Sequence, residues 1–196
     1  RRILRLKFAL GLFEQPFMDE SLADQVILSA EHRELALEVA RQSVVLVINS
    51  DQTLPFKTDG LRVALIGPLS DNQADLLGCW ASAGLPEDVE TIYDGFRKYL
   101  HEEKIVFHQG CSLAGDDTLD IDGALEAVQQ ADVVILAVGE SREMSGEAHS
   151  RVHLGLPGRQ QDLVDALSGV GKPLVVIVLS GRPLVIPGLA SQADAL

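Results

Sequence analysis

The 196-residue sequence is poor in cysteine and in aromatic residues. Its two cysteines, Cys79 and Cys111, fit neither a metal-binding spacing nor a CxxC redox pair. We expect two free, buried thiols, with a disulfide between them as the alternative. Aromatic residues make up 5% of the chain, but hydrophobic residues make up 46%, which suffices for an ordinary aliphatic core.

Basic residues are also scarce, since 16 lysines and arginines face 29 aspartates and glutamates and give a formal net charge of −13. An acidic surface repels phosphate backbones and anionic lipids, so we expect neither nucleic acid nor a membrane surface as a partner. The sequence has no apolar run of about 18 to 20 residues, the length that a membrane-spanning helix needs.

Several enzyme motifs are missing. Residues 169–173 resemble the end of a phosphate-binding loop, but Ala166 stands where that pattern needs glycine and Pro173 where it needs serine or threonine. No GxGxxG follows the first predicted strand and no GxSxG is present, which argues against a dinucleotide site and a serine hydrolase. His149 and His153 lie in a predicted loop, so we interpret them as unliganded polar residues and expect no metal.

Short β-branched runs alternate with amphipathic helical patterns along the chain. Five strands are predicted, at residues 44–48, 62–67, 104–108, 133–138 and 174–179. Most are continuously apolar, which favours central parallel strands covered on both faces. We therefore predict an α/β fold, with a mostly parallel sheet between helices and a ligand-binding edge at the carboxyl ends of its strands.

Four helices are predicted between these strands. They are a helix over residues 22–42 after the N-cap candidate Ser21, a helix capped by Thr91 with Ile92, Phe96 and Leu100 on one face, a helix after Asp120 marked by Ile121, Leu125 and Val128, and a helix marked by Leu163, Val164 and Leu167 that ends at Gly169.

The loop over residues 138–151 carries most of the candidate chemistry, because it combines three glutamates, two arginines and a histidine after the most apolar strand. Loops on a rigid scaffold are where catalytic groups concentrate. A solvated charged loop is the alternative interpretation.

Four segments, taken together, resemble the C-terminal α/β-sandwich domain of glycoside hydrolase family 3, in its periplasmic bacterial β-glucosidase form. They are residues 2–13, which resemble the segment leaving the family's (β/α)8 barrel, residues 40–55, residues 63–80, and residues 145–161 with their Ser-Gly-Glu-Ala-His-Ser-Arg and Leu-Pro-Gly-Arg-Gln-Gln motifs. The resemblance runs along essentially the whole chain. The order and spacing of the segments make it specific.

The resemblance implies a retaining mechanism with two carboxyl groups about 5–5.5 Å apart. One domain supplies an aspartate nucleophile, and this domain supplies a glutamate that protonates the leaving oxygen and then activates water. Glu147 matches the position of this acid/base residue. We expect Glu140, at the strand end, to orient the loop by pairing with Arg142 or Arg151, while Arg151 has substrate contact as an alternative role. Glu143 ranks third and is expected to be solvated.

Two further residues bear on the site. Trp80 is a candidate for sugar stacking or an interdomain contact, with plain core packing as the alternative. Asp71, in a Ser-Asp-Asn sequence, resembles the short nucleophile signature of the barrel, but it follows the second predicted strand of this domain and is rejected. Because the nucleophile belongs to the barrel, we expect the isolated chain to lack activity.

The expected organisation is a connector over residues 1–18, arriving from an upstream barrel, and the α/β domain over residues 19–196. We expect this domain to be truncated, because residues 192–195 repeat the lead-in to the strand at Val133. The resemblance implies a substrate that is a β-glucoside or an oligosaccharide with a terminal β-D-glucosyl residue. The implied partner is the barrel domain of the same protein. No cofactor is expected, and the parent protein is expected in the periplasm. The alternative is a non-catalytic carbohydrate-binding or structural α/β module, and a nucleotide-binding domain has only fold-level support.

Overall fold

The computed structural model of the chain describes residues 1–115 and 118–196. By its internal contacts it divides into two compact units, Arg1–Val45 and Leu46–Leu196. The first unit consists of the helices α1 (Arg2–Ala9), α2 (Leu22–Val26) and α3 (Ala30–Ser43).

The single helix predicted over residues 22–42 is wrong, because the helical conformation is interrupted between α2 and α3. Leu28 adopts a left-handed conformation with φ 55°, which an α-helix cannot accommodate. Ser29, and not Ser21, then caps a helix through its side chain, because its hydroxyl accepts a hydrogen bond from the His32 N–H at 3.4 Å.

The second unit is built on a four-stranded, fully parallel sheet in the order β2-β1-β3-β4. Its strands are β1 (Val63–Ile66), β2 (Ile105–His108), β3 (Val133–Gly139) and β4 (Leu174–Leu179). Four of the five predicted strands are therefore confirmed to within one residue at either end. The predicted fold class is confirmed as well.

The helices of the second unit are α4 (Gln73–Leu76), α5 (Ile92–Arg97), α6 (Ile121–Gln129), α7 (Gln160–Ser168) and α8 (Pro187–Gln192). The predicted starts of α5 and α6 are confirmed, since Thr91 forms a capping box with Asp94 and the Asp120 side chain accepts from the Gly123 N–H. No helix in the described parts of the chain is long and apolar enough to cross a membrane.

Both faces of the sheet are covered, which explains why its strands are continuously apolar. One set of alternate strand residues packs against α6, α7 and α8, and includes Ala64, Ile66, Val134, Leu136 and Val176. The other set packs against α5 and apolar residues between positions 54 and 61, and includes Val63, Leu65, Val133, Ile135 and Val175.

The strand predicted over residues 44–48 is wrong. Its only ladder-like pairing in the described chain is with the last residues, where the N–H groups of Val47 and Ile48 donate to the Leu196 carbonyl at 2.6 and 3.1 Å and the Leu196 N–H donates back to the Ile48 carbonyl at 2.9 Å. The adjacent Asn49 and Ala195 form one isolated antiparallel bridge. These bonds lie at one end of the segment, and residues 44–48 are not assigned to a strand.

Candidate active site

The loops that follow β1, β3 and β4 meet at the carboxyl edge of the sheet. Strand order reverses between β1 and β3, and ligands bind at such a switch point in open parallel sheets. Two glycines permit close approach of the backbones here. A Cβ on Gly67 (φ +112°) would lie 2.2 Å from the Ala137 carbonyl oxygen, and one on Gly139 (φ +143°) would lie 1.8 Å from the Leu179 carbonyl oxygen.

Glu140 is the buried centre of this edge, with its side chain only 1% exposed. One carboxylate oxygen, Oε1, lies 2.6 Å from Arg151 Nη1 and 3.3 Å from Arg182 Nε. The other oxygen, Oε2, accepts hydrogen bonds from the hydroxyls of Ser180 at 2.6 Å and Ser145 at 3.2 Å. The carboxylate is therefore surrounded by donors from its own loop and from the loop after β4.

These donors fix the ionisation state of Glu140. Burial by itself would raise the pKa of this carboxyl group. The hydrogen bonds from Ser180 and Arg151, together with the positive charges of Arg151 and Arg182, outweigh burial and lower the pKa below its ordinary value. Glu140 is consequently an anion at neutral pH and has no proton to donate.

Of the two arginines expected to pair with Glu140, Arg142 has a different partner. Its Nε lies 3.2 Å from Oε1 of Glu143, whose side chain is 72% exposed. The Arg142 main-chain N–H donates to Asp75 Oδ1 at 2.8 Å, which ties the loop after β3 to α4. Asp75 is thus a residue of this edge that no sequence motif indicates.

Glu147 occupies an exposed turn of the same loop. The His149 N–H donates to the Gly146 carbonyl at 3.2 Å and closes the turn, while Gly146 (φ 113°) and Ala148 (φ 62°) flank Glu147 with positive φ angles. The Glu147 carboxylate makes no hydrogen bond or ion pair with any residue in 1–115 or 118–196. Glu147 thus projects from a strained turn without a partner in the described chain.

Trp80 is 73% exposed, so the core-packing alternative is wrong for this chain. Its side chain lines the same cleft as Glu147, which has a volume of about 180 Å³ and is also lined by Cys79, Ser145 and His149. An adjoining cleft of about 230 Å³ reaches Glu140 and shares Cys79 and Ser145 in its lining. An indole and an unpaired carboxylate therefore face one open space.

Both cysteines are free, but only one of them is buried as expected. Cys79 is exposed because it lies in the loop that lines both clefts. Cys111 lies in the core, where burial and, to a lesser extent, the negative charge of Asp162 raise the pKa of its thiol to about 11. In the described parts of the chain, no group of three or more His, Cys, Asp or Glu side chains is placed to hold a metal ion.

Gln160, the first residue of α7, stabilises the end of β3 through its side chain. It is completely buried, and its amide bonds both main-chain groups of Gly139 and the carbonyl of Leu113. Gln160 belongs to the Leu-Pro-Gly-Arg-Gln-Gln motif, and its local sequence does not indicate this structural role. Arg182 and Ser180 were missed altogether, because nothing in their local sequence signals a contact with the β3 loop.

These features define an α/β domain with a carboxylate-rich site at the carboxyl edge of its parallel sheet. A model of the glycosyl hydrolase family 3 C-terminal domain matches residues 44–196. The chain belongs to glycosyl hydrolase family 3 and contains this C-terminal domain.

Curated relatives and solved structures agree on this family. The chain is 38% identical, over its whole length, to a periplasmic beta-glucosidase of Salmonella typhimurium, of which it spans 29%. It is 32% identical, again over its whole length, to a beta-xylosidase of Formosa agariphila, of which it spans 28%. A crystal structure of a beta-glucosidase from Listeria innocua in complex with glucose superposes with a TM-score of 0.88 at 35% identity, covering the whole of this chain and 26% of that one.

Proposed function

We propose that this chain is the acid/base domain of a retaining β-glycosidase and that Glu147 is the general acid and base. One observation carries the proposal. Of the three glutamates in the loop after β3, Glu140 is held by Arg151 and Glu143 pairs with Arg142, whereas Glu147 has no partner among the described residues. A general acid must reach the substrate oxygen to which it gives its proton, and Glu147 is the carboxyl group of this loop that is free to do so.

The competing assignment, Glu140, is disfavoured by its surroundings. Its lowered pKa keeps it ionised, and its two oxygens are already occupied by Ser180, Arg151 and the other donors around them. An anion held in this way neither protonates a leaving group nor turns toward a new partner. Its role in the proposal is to fix the loop through Arg151.

The nucleophile is proposed to lie outside this chain, which spans only 26–29% of the relatives described above. Asp71 is a poor candidate, because its Oδ1 accepts a hydrogen bond from the Thr91 hydroxyl at 2.9 Å and thereby supports the start of α5. In the proposal, residues 1–18 connect to a barrel domain that supplies an aspartate. Residues 19–196 form the acid/base domain, and the isolated chain is inactive.

The proposed substrate is a β-glucoside or a β-linked oligosaccharide with a terminal β-D-glucosyl residue, since the Salmonella and Listeria relatives, at 38% and 35% identity, are named beta-glucosidases. The name beta-xylosidase of other relatives makes a β-xyloside the second choice. Trp80 offers an aromatic face in the same cleft as Glu147, which suits stacking against a sugar ring or contact with the barrel. By the name of its Salmonella relative, the parent protein is proposed to be periplasmic.

The test is hydrolysis of an alkyl β-glucoside, whose leaving group needs a proton, by the full-length protein that carries this chain. Glu147→Gln should lower kcat/KM by about 10²–10⁴-fold, the usual contribution of general acid catalysis. Glu126→Gln, the same chemical change on the exposed side of α6, should leave it unchanged. Unaltered activity of Glu147→Gln would overturn the assignment.

A second assay tests the proposal that the isolated chain is inactive. The chain alone should not hydrolyse an aryl β-glucoside, while a mixture with the separately produced barrel should do so if the two parts reassemble. Activity of the chain alone would show that its nucleophile lies within residues 1–196. Binding of a β-glucoside by a full-length protein that hydrolyses none would favour the non-catalytic carbohydrate-binding module.

A further inference from the structure

Arg182 reaches from the loop after β4 to the turn that carries Glu147. Its Nη2 donates hydrogen bonds to the carbonyl oxygens of Met144 and, at 3.4 Å, of His149. Met144 precedes Glu147 by three residues and His149 follows it by two. One guanidinium group therefore holds the chain on both sides of Glu147.

The position of Arg182 is itself fixed. Its Nε lies 3.3 Å from the buried carboxylate of Glu140, and its main-chain N–H donates to the Ser180 hydroxyl oxygen at 3.2 Å. The same hydroxyl group lies 2.6 Å from Glu140 Oε2. Glu140 and Ser180 thus anchor the guanidinium group and the backbone of Arg182 to the end of the sheet.

The two loops also touch through their backbones. A Cβ added to Gly181 would lie 2.5 Å from both Cβ and Oγ of Ser145, so the absence of a side chain at Gly181 lets the loop after β4 approach the Glu147 loop. The turn itself has little to hold it, because its own main-chain hydrogen bond joins His149 to Gly146 and its outer residues are exposed. Ser145 and Arg151 bind Glu140 at the two ends of this segment, and Arg182 adds contacts to the main chain between them and the loop after β4.

We propose that Arg182 is a positioning residue for the general acid, and that it sets the place of Glu147 by holding the main chain on both sides of it. This inference rests on the proposed function of Glu147. A general acid acts only within about 2.6–3.2 Å of the oxygen that it protonates, and a displacement of about 1 Å can cost about 10²-fold in rate. Loss of the Arg182 contacts should therefore impair proton donation selectively.

The experiment compares kcat/KM of the full-length enzyme for two β-glucosides. Methyl β-glucoside releases an alkoxide that needs protonation, whereas 2,4-dinitrophenyl β-glucoside releases a phenolate that leaves without it. Arg182→Met should lower kcat/KM for the methyl glucoside by about 10–100-fold, with a change of less than about threefold for the dinitrophenyl glucoside. The matched control is Arg97→Met, which removes the exposed arginine at the end of α5 that pairs with Glu102. It should change neither value.

Two further variants separate positioning from charge and from folding. Arg182→Lys keeps a positive charge near Glu140, but its single ammonium nitrogen cannot lie beside Glu140 and at the Met144 and His149 carbonyls at once, as Nε and Nη2 of the planar guanidinium do. It should therefore show the same selective loss. Gly181→Ala keeps Arg182 and pushes its added methyl group against Ser145, so it should also impair the methyl glucoside selectively. Thermal unfolding of each variant establishes that the enzyme is folded.

The outcomes distinguish the two proposals. If Glu147→Ala shows the selective loss but folded Arg182→Met, Arg182→Lys and Gly181→Ala do not, the positioning role is overturned and the assignment of Glu147 stands. An equal loss for both substrates in the folded Arg182 variants would also overturn it, because that pattern marks a general structural role. If Glu147→Ala itself shows no selectivity, the proposed function fails first.

Discussion

The side-chain amide of Gln160 bonds both main-chain groups of Gly139, the last residue of β3. Gln160 Oε1 accepts from the Gly139 N–H at 2.8 Å, and Gln160 Nε2 donates to the Gly139 carbonyl at 2.9 Å. The same Nε2 donates to the Leu113 carbonyl at 2.7 Å. Since Glu140 follows Gly139 directly, the buried amide fixes the point at which the charged loop leaves the sheet.

Replacement of Gln160 by leucine should be strongly destabilising. The change leaves three main-chain groups without their partner, and each buried unsatisfied group costs about 1–3 kcal/mol. We expect the free energy of unfolding to fall by about 3 kcal/mol or more. Urea unfolding measures this. Gln161→Leu is the adjacent control, since that amide bonds the exposed Asp165, and equal losses for the two variants would contradict the structural role of Gln160.

Glu140→Gln should reveal a pH-dependent contribution to stability. The pKa of Glu140 is lowered in the folded chain, so its ionised form stabilises the fold above the ordinary glutamate pKa of about 4.3, and this contribution is lost as pH falls through the folded value. Removal of one member of a buried ion pair typically costs about 3–5 kcal/mol.

The difference in unfolding free energy between the unsubstituted protein and Glu140→Gln should therefore be largest near neutral pH and shrink in acid. Urea unfolding across a pH series tests this. A difference that grows as pH falls would contradict the direction given for the pKa of Glu140.

Gly139→Ala and Gly171→Ala should separate close backbone approach from conformational strain. Both glycines have positive φ, and an alanine held in such a sparsely populated conformation costs about 1–3 kcal/mol. Only at Gly139 does the added Cβ meet the backbone, 1.8 Å from the Leu179 carbonyl oxygen, while nothing lies within 4 Å at Gly171. Gly139→Ala should therefore lower the thermal unfolding temperature much further than Gly171→Ala. Similar shifts would mean that β3 and β4 separate easily here.

The two cysteines should differ sharply toward a thiol reagent. Cys79 is exposed, whereas Cys111 is buried and its pKa is raised to about 11. Because the thiolate is the reactive form, we expect one fast equivalent in a thiol titration of the folded protein and the second only after denaturation. Cys79→Ser should remove the fast equivalent. Rapid labelling of Cys111 in the folded protein would contradict the placement of that residue in the core.

Much of the second unit could be predicted because its signals are local. Continuous apolar runs mark β1 to β4, and the capping residues Thr91 and Asp120 mark where α5 and α6 begin. The two errors in the predicted helix and strand ranges arise where a non-local or backbone effect decides the structure. The left-handed Leu28 interrupts an otherwise helical pattern, and the main-chain partner of the apolar run at 44–48 is Leu196, which is distant in sequence.

In the candidate site too, contacts within one loop could be predicted, whereas contacts between residues distant in sequence could not. Glu140 and Arg151 lie in one loop, so their pairing was among the options that the sequence offered. Arg182 and Gln160 contact that loop from 38 and 21 residues away, and such contacts leave no mark in a single sequence. The exposure of Trp80 was equally undetermined, because a lone tryptophan suits a core and a binding cleft alike.

The contacts of Arg182 have a consequence for the exchange of loops between relatives in this family. Residues 141–151 form a continuous segment that could be exchanged between relatives, yet some of the residues that hold it, Ser180 and Arg182, follow β4. If this segment were transferred alone, it would lose the contacts that depend on Ser180 and Arg182. Engineering of the loop after β3 should therefore move it together with the loop after β4.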